Sequence, residues 1–251
     1  MQDETELLKK RLLELTHRAF SQQRYTYSEF LTLAEQDALL GMKFDAGAAP
    51  LTLLGGYDGA ERQIARFGDA ALCGYEEAPP LSYIAVTPLS QKFADALTHR
   101  DFLGALMALG VRRSVLGDIL LQDNSACLVC LESISGFIVG EFSQVKRTSV
   151  RCQVLDALPD IAVREPEARS VNVASQRLDA LVAAVYKLSR SESQALIVQG
   201  KVHVNSRLTE NASHEPGPGD IVSVRGLGRF VYDGAGRETK KGRLFVDVRV
   251  Y

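Results

Sequence analysis

The sequence predicts a multi-domain α+β protein, and three observations carry that prediction. Between residues 79 and 160, strand-like and helix-like stretches follow the order strand–helix–strand–strand–helix–strand. Ahead of them, an amphipathic helical stretch precedes mixed helix and strand patterning. Behind them, from Ser175 to Gly226, two short helical stripes lead into a small sheet punctuated by Asn205-Ser206 and Gly217-Pro218-Gly219-Asp220. A chain of 251 residues has material for two to three domains with real cores, and 46% hydrophobic against 24% charged content is ordinary for a soluble globular protein.

Residues 1–78 are expected to form an N-terminal α/β region. Leu7, Leu8, Leu12 and Leu15 fall near helical spacing among Lys9, Lys10, Arg11 and Glu14, so Thr5 to Phe20 reads as an amphipathic helix. Thr26-Tyr27-Ser28 introduces a second helix, Glu29 to Leu40, stopped by Gly41. Leu51 to Gly56 reads as a strand, and Gly55-Gly56-Tyr57-Asp58-Gly59 as a tight turn. No Gly-Lys-Ser/Thr follows these glycines, which excludes a Walker phosphate loop.

Glu76-Glu77-Ala78-Pro79-Pro80 breaks the composition and marks a domain boundary. Beyond it come a strand at Leu81 to Val86, a helix at Phe93 to Leu109 and a strand pair, Ile119 to Gln122 with Ala126 to Leu131. A glycine-weakened helix at Ser133 to Val145 and a strand at Ser149 to Leu155 complete residues 79–160. This order is the split βαβ, or ferredoxin-like, arrangement, which RNA-recognition modules share with many unrelated proteins. Such modules stack bases on aromatics of their two central strands. Leu120-Leu121-Gln122 and Cys127 to Leu131, taken as those strands, contain none. Arg112-Arg113 and Lys146-Arg147 suit either phosphates or helix C-termini, and the helix-dipole reading is preferred. Cys127 and Cys130 form a C-x-x-C, but residues three apart on a strand face opposite sides and no second ligand pair lies at zinc-site spacing. They read as structural thiols. Residues 161–174 are expected to be a linker.

The last unit, residues 175–251, has Leu178, Leu181, Val182, Val185 and Leu188 on one helical stripe. Ser189 with Glu192 makes a capping box for a second helix, Arg190 to Gln199, which Gly200 stops. With Ser175 and Ser189 as N-caps, Arg177 and Arg190 both fall in first turns, where a cation opposes the helix dipole. Two such arginines beside free backbone N–H groups suit phosphate. From Gln176 to Tyr251 there are twelve Lys and Arg against eight Asp and Glu, a surplus hidden by the net charge of −2. Gly228 to Tyr232 extends the strand that begins at Ile221, Asp233-Gly234-Ala235-Gly236 reads as a turn, and Leu244 to Tyr251 as a final strand. Gly226-x-Gly228 lacks the third glycine of a dinucleotide fingerprint.

Arg177-Leu178-Asp179, Ser189-Arg190-Ser191, Ile197, Gly200-Lys201-Val202, Val204-Asn205, Gly219-Asp220 and Val224-Arg225-Gly226 together closely resemble the S-four RNA-binding domain of ribosomal and tRNA-binding proteins. With its long N-terminal extension, a Gly55-Gly56-Tyr57 followed by Ala60-Glu61-Arg62, and a Thr239-Lys240-Lys241-Gly242-Arg243 tail, the whole chain resembles the YlmH family. The resemblance implies non-catalytic binding of structured RNA, both rRNA and tRNA, on the large ribosomal subunit, with a role in ribosome rescue or quality control. The expected RNA-binding residues are Arg177, Asp179, Lys187, Ser189, Arg190 and Gln194 on the helix pair. Lys201, Asn205 and Arg207 join them from the hairpin, and Lys240, Lys241 and Arg243 from the last loop. No cofactor or metal is implied. With no signal or membrane-spanning stretch in the sequence, a cytoplasmic monomer is expected.

Two enzyme readings fail on the residues. Arg177-Leu178-Asp179 copies the letters around the catalytic aspartate of pseudouridine synthases, but only 72 residues follow Asp179, too few for that catalytic domain. The tyrosyl-tRNA synthetase reading lacks both signature segments of that enzyme. The alternatives left open are a protein-interaction scaffold with secondary RNA contact, and an RNA-modifying enzyme with its site in residues 1–160.

Overall fold

The computed structural model describes residues 2–45, 47–90, 95–159, 166–239 and 242–251, arranged as two compact units, Met1–Val163 and Arg164–Tyr251. Phe93, Lys240, Lys241 and residues 161–165 of the expected linker lie outside the described residues.

The first unit opens with helix α1 (Gln2–Gln22), which buries Leu12, Thr16 and Ala19. Here the structure departs from the sequence reading. Residues 26–31 are not the lead-in to a helix but strand β1 (Thr26–Leu31), and helix α2 (Leu33–Leu40) is correspondingly short. Alternate residues Thr26, Ser28 and Phe30 point inward, and Thr32 with Glu35 forms the capping box that starts the helix. Strands β2 (Leu51–Leu54) and β3 (Gln63–Phe67) complete a three-stranded antiparallel sheet in the order β1-β3-β2. The short helix α3 (Ala70–Cys73) follows, capped by Asp69.

The ferredoxin-like arrangement is present. Strand β4 (Leu81–Pro88), helix α4 (His99–Ala108), strands β5 (Leu116–Gln122) and β6 (Ser125–Leu131), and helix α5 (Glu132–Glu141) come in the expected order. A short strand β7 (Gln144–Val145) and β8 (Thr148–Leu155) close the sheet, in the order β5-β6-β4-β8-β7. Helix α4 starts later than the periodicity suggested, because Thr98 and Asp101 form its capping box. Phe102, Leu106 and Ile138 from the helices pack on Ile84, Val86, Leu128 and Cys130 from the sheet.

The pairing corrects the choice of central strands. β4 and β6 are central and β5 is an edge, so an aromatic, Tyr83, does stand on a central strand. It is not available for stacking. The sheet face away from the helices is covered around Tyr83, Val129 and Leu131 by Phe30, Ile64 and Leu54 of the N-terminal sheet and by Tyr57 from the turn between its strands. Tyr83 donates its hydroxyl to the Gly56 carbonyl at 2.7 Å. Gly117 makes the close approach possible, since a Cβ there would stand 2.8 Å from the Phe30 ring. Cys127 and Cys130 are buried free thiols, and only Cys130 joins the helix-side core, as opposite faces require.

In the second unit, strand β9 (Glu167–Val173) occupies half of the expected linker, pairing along its length with the last strand. Its polar, charged sequence suits an edge position, which is why composition alone read it as a linker. Helices α6 (Leu178–Tyr186) and α7 (Arg190–Val198) precede β10 (Val202–Val204), β11 (Arg207–Leu208), β12 (Ile221–Val224), β13 (Gly228–Glu238) and β14 (Leu244–Val250). The six strands run in the order β11-β10-β12-β13-β14-β9. Leu178, Leu181, Val182, Val185 and Ile197 pack on Val202, Val222, Val224, Phe230, Val246 and Val248. Asp233 to Gly236 is no turn: β13 passes through it with register shifts at Tyr232/Gly234 and Ala235/Glu238, and Gly234 supplies a φ of 133°.

Candidate nucleic-acid interface

The candidate site is built where α6 and α7 meet. Ser189 accepts from the Glu192 N–H at 3.2 Å while the Glu192 carboxylate accepts from the Ser189 N–H at 2.7 Å, so α7 begins where the sequence places it. Arg190 is therefore the first helical residue, with its side chain 56% exposed. The start of α6 differs. Arg177, not Ser175, stands at the N-cap position, so Arg177 precedes the first turn rather than occupying it.

What offsets the unfavourable dipole is Asp179, the second residue of α6, whose side chain is 0% exposed. It accepts from Arg177 Nε at 3.1 Å and Nη2 at 3.2 Å, from Arg190 Nε at 3.1 Å and from Gln194 Nε2 at 2.8 Å. The Asp179 backbone carbonyl takes the Ser193 hydroxyl at 2.8 Å, locking the two helices together. Burial works against the charged carboxylate, but the Arg177, Gln194 and Arg190 contacts outweigh it and hold Asp179 down at about 2. Two guanidiniums thus share one buried carboxylate, and Glu215 lies close enough to act on Arg177 as well.

Several expected ligands have other duties. The first two N–H groups of α6 are not free for phosphate: Leu178 donates to the His214 carbonyl at 2.7 Å and Asp179 to that of Ala212 at 3.2 Å. Asp179 itself is too buried to touch RNA. The Asn205 amide closes the hairpin turn, donating to Asp220 Oδ1 at 2.7 Å and accepting from the Ile221 N–H at 2.9 Å. Arg243 ties β14 to β9 through the Asn172 side chain and, at 2.9 Å, its carbonyl. The Ser189 hydroxyl serves the helix cap. Gln194 spends its amide on Asp179.

Lys187 and Arg207 are exposed, Lys187 in the left-handed turn between the helices at φ 55°. Lys201 is half-buried at the start of β10, where its carbonyl accepts the Arg225 N–H at 2.9 Å. That bond sets an exposed arginine beside it which the site reading omitted, although Val224-Arg225-Gly226 was part of the recognisable string. In the first unit the basic pairs do not end helices as expected. Arg112 pairs with Glu29 at 2.6 Å, Lys146 with Asp101 at 2.8 Å, and Arg113 donates to the carbonyls of Leu116 and Gly117. Burial and the neighbouring Arg62 push Arg113 down to about 10.

Fold and site together define an α+β RNA-binding-type chain that ends in an S-four unit. A family model described as a putative RNA-binding domain in YlmH matches residues 83–158, and the S4 domain model matches residues 176–222. The ribosome-associated protein quality control protein P2 of Bacillus subtilis (strain 168) is 31% identical over 227 residues, covering 88% of this chain and 86% of that protein. This chain belongs to the YlmH family. A solved structure, cell division protein ylmH from Streptococcus pneumoniae, is 16% identical, covers 61% of this chain and 91% of its own, and superposes with a TM-score of 0.44, a likeness too loose to argue from.

Proposed function

We propose that the chain binds structured RNA, rRNA and tRNA, on the large ribosomal subunit, without catalysis, and acts in ribosome rescue or quality control. The observation that carries this reading is the Arg177–Asp179–Arg190 cluster, which holds two guanidiniums at the helix junction with Arg190 largely open to solvent. Lys187, Lys201, Arg207 and Arg225 add positive charge to the same small unit. Such a surface suits backbone phosphates and 2′-hydroxyls, reading shape before sequence. Family membership and a relative named for ribosome-associated quality control support the ribosomal partner.

The non-catalytic part rests on Asp179. Its carboxylate is buried and saturated by donors, so the Arg-Leu-Asp triplet supplies no free nucleophile. In the middle region, base stacking on the ferredoxin-like sheet is disfavoured because the N-terminal sheet covers Tyr83 and Val129. Filter binding of the full chain to rRNA fragments and tRNA at several salt concentrations tests the reading. Arg190→Ala is expected to weaken binding by about 1–3 kcal/mol and to flatten the salt dependence. Unchanged affinity across the salt series would count against it.

A further inference from the structure

An acidic side chain inside a phosphate-binding surface lowers the local positive charge. On Coulomb grounds alone, its removal would tighten binding to any polyanion. The geometry around Asp179 argues for the opposite sign. Arg177 meets it side-on through Nε and Nη2, which fixes the plane of that guanidinium. Arg190 meets it through Nε, so both Nη groups of its fork lie outside the contact. Gln194 donates to the same Oδ2 that takes Arg190, and Ser193 pins the Asp179 carbonyl to α7. Two side chains that would otherwise lose rotamer freedom on binding are already held in place.

We propose that Asp179 is a positioning residue for folded RNA. It makes no RNA contact but fixes the separation and orientation of the Arg177 and Arg190 guanidiniums, so that the pair fits phosphates whose spacing is itself fixed. A folded backbone presents such phosphates, whereas a flexible single strand adapts to any cluster of cations and gains nothing from the constraint. This inference rests on the RNA-binding reading above and adds selectivity to it.

The test uses the full-length chain with two probes, an unmodified tRNA transcript and poly(U). Asp179→Asn removes one negative charge and is expected to weaken transcript binding about tenfold while poly(U) binding stays level or tightens. Arg190→Lys keeps the charge but not the fork, and is expected to show the same selective loss, which guards against poor folding of the first variant. Tighter binding of both probes by Asp179→Asn would make the carboxylate a mere diluter of charge. Parallel loss of both probes together with the helical circular-dichroism signal would make it merely structural, and an unaltered Arg190→Lys affinity would remove the geometric claim. Each of these overturns the proposal while leaving RNA binding intact, whereas a wild-type chain that binds neither probe would overturn the RNA-binding reading and the proposal with it.

Discussion

Tyr57 donates its hydroxyl to the Asp118 carboxylate at 2.7 Å, joining a turn of the N-terminal sheet to an edge strand of the ferredoxin-like sheet. The same carboxylate accepts the N–H groups of Glu61 and Arg62, at 2.8 Å and 3.1 Å. The buried Arg62 guanidinium then spans the carbonyls of Leu116, Phe30 and Arg113. The Gly-Gly-Tyr and Ala-Glu-Arg letters are thus parts of one clamp between two sheets.

Removing the centre of that clamp should loosen the junction. Asp118→Ala leaves three donors without their acceptor, and we expect a loss of about 2–3 kcal/mol in urea unfolding. Hydrogen exchange in Gln63–Phe67 should quicken in the same variant. Unchanged protection there would show that the Asp118 contacts are not what holds the sheets together.

Acid should weaken the C-terminal unit through Asp179. Its folded value lies well below the ordinary carboxylate range, at about 2, so the unfolded chain binds more protons between the two values. The stabilisation is therefore complete above about pH 4 and is lost as pH falls through about 2, amounting to about 2 kcal/mol. Urea midpoints measured across that window should fall with pH in the wild-type chain and fall less in Asp179→Asn.

The helix cap carries a smaller, local effect. Ser189→Ala removes the acceptor for the Glu192 N–H and should cost about 1 kcal/mol. A thermal melt that is unshifted would mean that the Ser189 hydroxyl is not needed to define the start of α7.

Thiol chemistry checks the cysteine assignment. Burial pushes Cys127 up to about 11 and Cys130 up to about 12, so neither is a thiolate at mildly alkaline pH. Both should resist iodoacetamide in the native chain and react fully in urea, as read by mass spectrometry. Rapid native alkylation of either would contradict the buried placement.

Periodicity, caps and turn residues lie within a few positions of one another, so the amino-acid order alone determined the elements that depend on them. The Ser189–Glu192 cap, the stripe from Leu178 to Val185, the order of strands and helices across residues 81–155 and the cationic bias of the last unit were all legible there. The tertiary structure decided what depends on partners far apart in the chain. Which strands are central follows from pairing, and pairing placed Tyr83 under the N-terminal sheet. Asn172 and Arg243 lie 71 residues apart, so the clamp that makes an edge strand of an expected linker has no local signature. Asp179 was visible as a letter, but its burial between two arginines exists only once α6 and α7 have docked, because a carboxylate gives up water only where packing brings enough donors to replace it.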